Sequence, residues 1–256
     1  AHEHWLVCPT HVLWRYNREP CVERDCLRCA LAYRRPPQLW RNTGLLEKYA
    51  AQIDAFIAKS EFSRDKHREF GFEWPMNVVP YFLPKLAASP RAQHAEPHEN
   101  PYFLFVGRLE KIKGLQDVIP VFGGTEGPDL LIAGTGEYEA QLRAMAADKP
   151  RVKFIGRVMP DDLDEYYKNA LALVVPSICY ETFGIILIEA LRLGTPVIAR
   201  NFGPFPEIVG KGGGLLFDDE AGLREAIDRL SCEDQRDRLA NDALHAFSTN
   251  WCEDVV

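Results

Sequence analysis

The chain has 256 residues, 46% of them hydrophobic and 26% charged, with a formal charge of −7; this is ordinary globular composition and excludes a collagen-like, low-complexity or wholly disordered chain. Nowhere do about 18 apolar residues run together, so no membrane-spanning helix is expected, and the polar opening Ala1-His2-Glu3-His4 does not read as a signal peptide. The acidic balance makes nucleic acid an unexpected partner.

In chain order, residues 8–41 show no clear periodicity and are rich in Cys and Arg. Then come a predicted helix (Leu45 to Gln52), a strand (Asp54 to Ala58), a helix (Phe62 to Phe70) and a strand (Asn77 to Val79). These are α/β elements, too few to close a domain, so 1–86 is expected to be a partial amino-terminal domain with a Cys-rich insertion. Pro90, Pro97 and Pro101 mark 87–100 as a linker. From Tyr102 short apolar runs alternate with amphipathic stretches. Strands are predicted at Tyr102 to Gly107, Asp129 to Gly134, Val152 to Ile155, Leu171 to Val175, Pro196 to Ala199 and Gly214 to Phe217. Helices are predicted at Gly114 to Phe122, Glu137 to Ala147, Asp161 to Asn169 (capped by Asp161 or Asp162), Gly184 to Leu193 and Glu220 to Leu230. Continuous apolar strands between helices imply a parallel sheet covered on both faces. Residues 101–256 are therefore expected to be a doubly wound α/β domain with its ligand crevice at the carboxyl ends of the strands.

Charge is unevenly spread: 14 basic against 12 acidic residues in 1–100, and 16 against 25 in 101–256. The basic excess lies between Arg15 and Arg41, with seven Arg against Glu19, Glu23 and Asp25. This stretch is either a solvated loop or an anion-facing surface, for a phosphorylated substrate or for lipid headgroups in a peripheral membrane contact.

Seven cysteines, an odd number, and no Asn-x-Ser/Thr site fit a reducing cytoplasm better than a secreted disulfide framework. Cys8, Cys21, Cys26 and Cys29 cluster. The Cys26-x2-Cys29 spacing admits a structural zinc held by four thiolates; Cys21-x4-Cys26-x2-Cys29 also matches an iron–sulfur spacing, and free thiols are the third reading.

Four motifs could carry chemistry at the strand ends. Gly107-Arg108-Leu109-Glu110-Lys111-Ile112-Lys113-Gly114 runs from a strand end to a helix start, where two cations and a helix N-terminus suit phosphate. Gly134-Thr135-Gly136 lacks the third glycine of a dinucleotide fingerprint, Glu139 standing in its place, so a strand-to-helix turn is expected. Asp162-Leu163-Asp164 could hold a divalent metal under a nucleotide diphosphate, but it opens a helix, where acids favour the dipole, and that plain reading is expected. Glu181 stands just before a predicted helix, and Glu189 lies inside its otherwise greasy sequence, where an ionised carboxylate needs compensation. Eight helical residues span about 12 Å, the extent of a nucleotide diphosphate.

The basic loop, Phe154-Ile155-Gly156, Pro176-Ser177 and the Glu181-x7-Glu189 segment, in this order and spacing, resemble the carboxyl-terminal domain of family 4 retaining glycosyltransferases with the B-type fold. Asp54 to Ser60, Phe62 and Val78-Val79-Pro80 are similar to the end of that family's amino-terminal domain; the usual Asn-Gly after the Pro is Tyr81-Phe82 here. The resemblance implies two Rossmann-like domains, the first truncated. It implies that Arg108 and Lys113 hold the donor diphosphate, that Glu181 takes donor-sugar hydroxyls, and that Gly184 and Ile185, next to Phe183, offer backbone N–H groups. It puts Glu189 on the ribose, Arg157 and Val158 at the nucleobase, and His2 in the place of the active-site His.

Such an enzyme moves a sugar from a nucleotide-diphosphate sugar, a UDP- or GDP-sugar, to a glycan, lipid or small-molecule acceptor with retained configuration. No metal is needed for the chemistry. Same-fold rivals are a nucleotide-sugar epimerase and a phosphorylase; a rival of another class is a non-catalytic nucleotide- or anion-binding module with a Cys-rich docking segment. Lacking a Gly-rich loop, these 256 residues are expected to bind nucleotide and to transfer sugar poorly.

Overall fold

The computed structural model describes residues 1–85 and 98–256. Most of the expected linker therefore lies outside the described residues. The chain divides into two compact units. One comprises Ala1–Tyr81 with Cys179–Gly184 and Phe202–Glu207; the other comprises Phe82–Ile178, Ile185–Asn201 and Ile208–Val256.

In the first unit, a hairpin pairs β1 (Trp14–Arg15) with β2 (Glu19–Pro20), and α1 (Cys26–Ala32) and α2 (Leu45–Ala50) follow. Strand β3 (Phe56–Ala58) pairs in parallel with β4 (Met76–Val78), and α3 (Glu61–Glu69) crosses between them. Ser60 caps α3, its hydroxyl accepting from Ser63 N–H at 3.0 Å, which satisfies one of the donors a helix start leaves open. Val7, Cys8, Leu13, Ala50, Phe70 and Phe72 form a small core.

The second unit holds β5 (Tyr102–Val106), β6 (Asp129–Ala133), β7 (Val152–Gly156), β8 (Ala172–Val175), β9 (Val197–Arg200) and β10 (Gly214–Phe217). They make one parallel sheet in the order β10-β9-β8-β5-β6-β7. Counted from β5 as the first strand, this is the 3-2-1-4-5-6 order of a doubly wound domain. Tyr102, Phe103, Leu104 and Phe105 are all buried, as a strand covered on both faces requires. The connections carry α4 (Leu115–Val118), α5 (Glu139–Met145), α6 (Pro160–Asn169), α7 (Ile185–Arg192), α8 (Phe205–Val209, which straddles both units), α9 (Glu220–Ser231) and α10 (Glu233–Asn250).

Two local expectations need correction. The helix expected over 114–122 stops at Val118 and continues as a 3-10 turn, Ile119–Phe122; Pro120 has no N–H to offer and its ring clashes with an α-helical interior. Helix α6 is opened by Pro160 in its first turn with Met159 at the N-cap, not by an Asp cap. Proline suits that position because its fixed φ is already helical and its missing N–H would have no partner there.

Candidate functional site

Strand order reverses between β5 and β8, and the carboxyl ends of these strands are where a doubly wound sheet forms its crevice. Gly107 and Pro176 stand directly after them. The loop after β5 runs close along its neighbours. A Cβ on Gly114, whose φ is +77°, would lie 2.0 Å from the Pro176 carbonyl oxygen, and one on Gly134 would lie 1.9 Å from the Gly107 carbonyl oxygen. Only glycine tolerates such approaches. Backbone bonds fasten the same loop: Leu109 N–H to Thr135 O at 3.0 Å, Tyr138 N–H to Leu109 O at 2.9 Å and Ile178 N–H to Ile112 O at 2.9 Å. Gly134-Thr135-Gly136 is thus a turn that braces the loop after β5, as the sequence led us to expect.

Arg108 and Lys113 are carried on this braced loop. Arg108 is exposed and its guanidinium pairs with the Glu110 carboxylate at 2.8 Å. That contact orients the cation and offsets part of its charge. Lys113 closes the 3-10 turn Lys111–Lys113, ahead of Gly114. Arg200 fastens the neighbouring strand end, donating to Pro176 O at 3.0 Å and to Asp117 at 2.6 Å. Arg157, exposed, and Val158, half-buried, follow the end of β7. In α7, Ile185 is partly exposed and Glu189 half-buried. The Tyr167 hydroxyl donates to Glu189 Oε2 at 3.0 Å. Burial pushes Glu189 above the usual carboxylate range, while the Tyr167 hydroxyl and Arg192 pull it back. Arg192 also bonds both Asp164 oxygens, at 3.2 and 3.3 Å, so Asp164 serves the α6–α7 packing.

Glu181, Phe183 and Gly184 belong to the first unit. Their loop is tied down there: Ser60 Oγ donates to Thr182 O at 2.7 Å, and Thr182 Oγ1 donates to His2 O at 2.9 Å. Glu181 Oε1 accepts a long bond from the Cys179 thiol at 3.8 Å. The Tyr180 ring stacks on Phe202, centroids 4.9 Å apart. Phe183 is buried, its ring 5.6 Å from Tyr81, so its side chain packs and only its backbone is left for a ligand. His2 is exposed, and its Nδ1 is hydrogen-bonded to the Tyr81 hydroxyl.

Sequence reasoning missed several of these partners. Glu207 accepts from the backbone N–H groups of Glu61, at 3.0 Å, and Phe62, a second cap on α3 supplied from far along the chain. His4 and His67 are buried together, rings 5.2 Å apart; burial first, then the neighbouring His67, hold His4 down to about 3. At the amino end of β6, buried Asp129 is bonded by His98 at 2.7 Å, Asn100 at 3.2 Å and Arg151 at 3.1 Å. Only the unexplained acid at the start of an apolar strand signalled that last cluster.

Cys8, Cys21, Cys26 and Cys29 line one small cavity in the first unit. Among the described residues, no group of three or more His, Cys, Asp or Glu is disposed as a ready-made metal-ligand set. The spacing brought the four thiols together without pre-forming ligand geometry. Among the described residues, no helix is long and apolar enough to cross a membrane.

The profile of the family described as "Glycosyl transferases group 1" matches residues 88–245. The D-inositol 3-phosphate glycosyltransferase of Acidothermus cellulolyticus is 33% identical over 190 residues, which cover 66% of this chain and 42% of that protein. The D-rhamnosyltransferase WbpZ of Pseudomonas aeruginosa is 32% identical over 170 residues, covering 62% of this chain and 44% of that protein. The chain thus spans less than half the length of these curated relatives. Among solved structures, sucrose-phosphate synthase from Thermosynechococcus elongatus superimposes with a TM-score of 0.70 at 24% identity, covering 88% of this chain and 62% of that one. Anabaena HepE in complex with UDP and glucose gives 0.70 at 19% identity, covering 88% and 70%. At these identities the likeness shows the fold, the α/β architecture of B-type glycosyltransferases. The profile match spans more than half of the chain and agrees with that fold: this chain belongs to the glycosyl transferases group 1 family.

Proposed function

We propose that the chain is the donor-binding part of a family 4 glycosyltransferase that moves a sugar from a nucleotide-diphosphate sugar to an acceptor hydroxyl, retaining the anomeric configuration. In this reading residues 101–256 take the UDP- or GDP-sugar and residues 1–86 serve the acceptor side. The observation that carries it is the braced loop Gly107–Gly114, which holds Arg108 and Lys113 at the strand-order reversal. Fixed cations there stabilise the negative charge that builds on the leaving diphosphate, and they need no reorganisation during the reaction. The acceptor oxygen forms its bond to the anomeric carbon as the bond to the phosphate oxygen breaks, and the acceptor proton passes to the leaving diphosphate. The chemistry then needs no metal.

In the same reading Glu181 takes sugar hydroxyls, Gly184 and Ile185 offer N–H groups, Glu189 holds the ribose, Arg157 and Val158 meet the base, and His2 faces the reacting sugar. A cytoplasmic setting goes with it, where thiols stay reduced. Calorimetric titration of Lys113→Ala with UDP, GDP and the bare nucleosides tests it. A charge-assisted contact is worth about 1.5–3 kcal/mol, so diphosphate binding should weaken roughly 10- to 100-fold with nucleoside binding unchanged. Equal losses for both ligand types, or no nucleotide binding by the folded wild-type chain, would overturn the reading.

A further inference from the structure

Residues 7–42 are held by little regular structure: two strands of two residues, one seven-residue helix and a 3-10 turn at Leu39–Asn42. The described non-glycine residues with positive φ all fall here, namely His11 at 74°, Leu13 at 47°, Tyr16 at 53°, Asn17 at 59° and Arg34 at 53°. Each is a conformation that L side chains resist, and it persists only where its surroundings over-determine it. The six-residue apolar core beneath is small for that task. Segments of this kind are commonly held by a covalent or metal cross-link.

Four thiols meet in the middle of the segment. Cys8 follows the 3-10 turn His4–Leu6, Cys21 follows β2, and Cys26 and Cys29 share one face of α1 at i and i+3. All four line one small cavity of about 10 Å³, the scale of a single water or ion. The backbone N–H of Tyr16 donates to Cys29 Sγ at 3.4 Å, the kind of outer-sphere bond that orients a ligand and tunes a metal site. Arg15, Arg24 and Asp25 line the same cavity, and Arg15 is paired with Glu19 at 2.7 Å, so Arg24 supplies the positive charge beside a site whose four thiolates outweigh a divalent cation by two charges.

We propose that Cys8, Cys21, Cys26 and Cys29 bind one zinc ion through four thiolates, and that this metal fixes the 7–42 segment. Tetrahedral all-sulfur coordination is the zinc preference. No three of these sulfurs stand at ligand geometry as they lie, so zinc binding requires the four side chains to rearrange. Each thiol releases its proton to solvent as its sulfur binds. A divalent ion among the four favours the thiolate form. The site is independent of the donor reading, since none of its four residues belongs to the donor set.

The test is metal analysis of the untagged chain, loaded with zinc in reducing buffer and then desalted. About one zinc per chain is expected for a closed four-sulfur site. Cobalt(II) in its place should give the intense sulfur-to-cobalt charge-transfer and tetrahedral ligand-field bands of a thiolate site. This measurement uses the unaltered chain, so it does not depend on whether a variant folds. Cys26→Ser should abolish the cobalt spectrum and Cys232→Ser should leave it intact. A zinc content below about a tenth of the closed-site value, four freely reactive thiols in the zinc-treated protein, disulfides between these cysteines under the same conditions, or a cobalt spectrum that survives Cys26→Ser would each overturn the proposal.

Discussion

The hydroxyl of Tyr81 is hydrogen-bonded to Nδ1 of His2. Tyr81 stands where the resembling family has Asn, a departure that the sequence alone left without a reason. The same ring packs against Phe183 and lies under the Lys59 ammonium, 4.6 Å from its centroid. Tyr81 therefore joins the amino-terminal residues to the Cys179–Gly184 loop, and its hydroxyl sets the orientation of the His2 ring.

Tyr81→Phe should keep the aromatic packing and lose that one hydrogen bond. The expected loss of stability is about 1 kcal/mol, the net worth of a typical intramolecular hydrogen bond. The more telling readout is the ¹⁵N resonance of His2 Nδ1, which should move in this variant and stay in place in Phe82→Leu. An unmoved resonance would mean that Tyr81 serves packing alone.

Asp129 should behave as a buried anchor of the second unit. Burial works to raise its pKa, but the bonds from His98, Asn100 and Arg151 prevail and hold the carboxyl below its ordinary 3.8. A depressed carboxylate stabilises the fold fully above the unfolded-state value, and that stabilisation is lost as pH falls through the lower folded value. Asp129→Asn should cost about 3 kcal/mol at neutral pH, the low end for breaking a buried pair, because Arg151 and His98 keep some contact with water. Denaturant unfolding monitored from pH 7 down to acid checks it: the difference between wild type and variant should narrow on the acid side.

The buried histidines give the first unit its own acid response. Burial, the charge on His67 and nearby Lys66 hold His4 at about 3, against an ordinary 6.5, and burial lowers His67 as well. Between those limits the unfolded chain binds protons that the folded chain refuses, so stability falls as pH drops from 6.5 toward 3. Each group contributes up to about 1.4 kcal/mol per pH unit. Hydrogen exchange measured at several pH values should show protection in 1–81 falling through this range before protection in β5 and β6 does. His4→Gln should flatten the dependence; an unchanged slope would remove His4 as its source.

Much of the second unit was legible because buried parallel strands are written as unbroken apolar runs, such as Tyr102–Val106 and Asp129–Ala133, and because Gly, Pro and Asp punctuate their ends. The cation-bearing loop was legible for a related reason: glycines at strand ends leave a local mark. What stayed hidden depends on long-range partners. Nothing near Glu207 in sequence says that it caps α3, and nothing near Tyr167 says that its hydroxyl meets Glu189. Pro120 was visible, yet an otherwise helical pattern around it outweighed its steric effect in the reading. In 7–42, short elements and left-handed residues leave no periodic pattern, so the thiols were found by residue type and spacing alone.

Glu189 offers the sharpest check on how the site works. It sits in α7 with burial opposing its ionisation, and Tyr167 and Arg192 are the groups that sustain the charge. If its carboxylate holds the ribose, Glu189→Gln removes a charge-assisted bond common to nucleoside and nucleoside diphosphate. Both ligands should then lose the same factor, roughly 10- to 100-fold for about 1.5–3 kcal/mol, whereas Lys113→Ala weakens only the diphosphate. Tyr167→Phe should act through Glu189: with its donor gone the carboxyl titrates at higher pH, so nucleoside binding by this variant should weaken toward acid at a higher pH than in wild type. Calorimetry with uridine, UDP, guanosine and GDP from pH 5 to 8 measures all three variants on one scale. A Glu189→Gln loss confined to the diphosphates would move Glu189 off the ribose and onto the phosphate side.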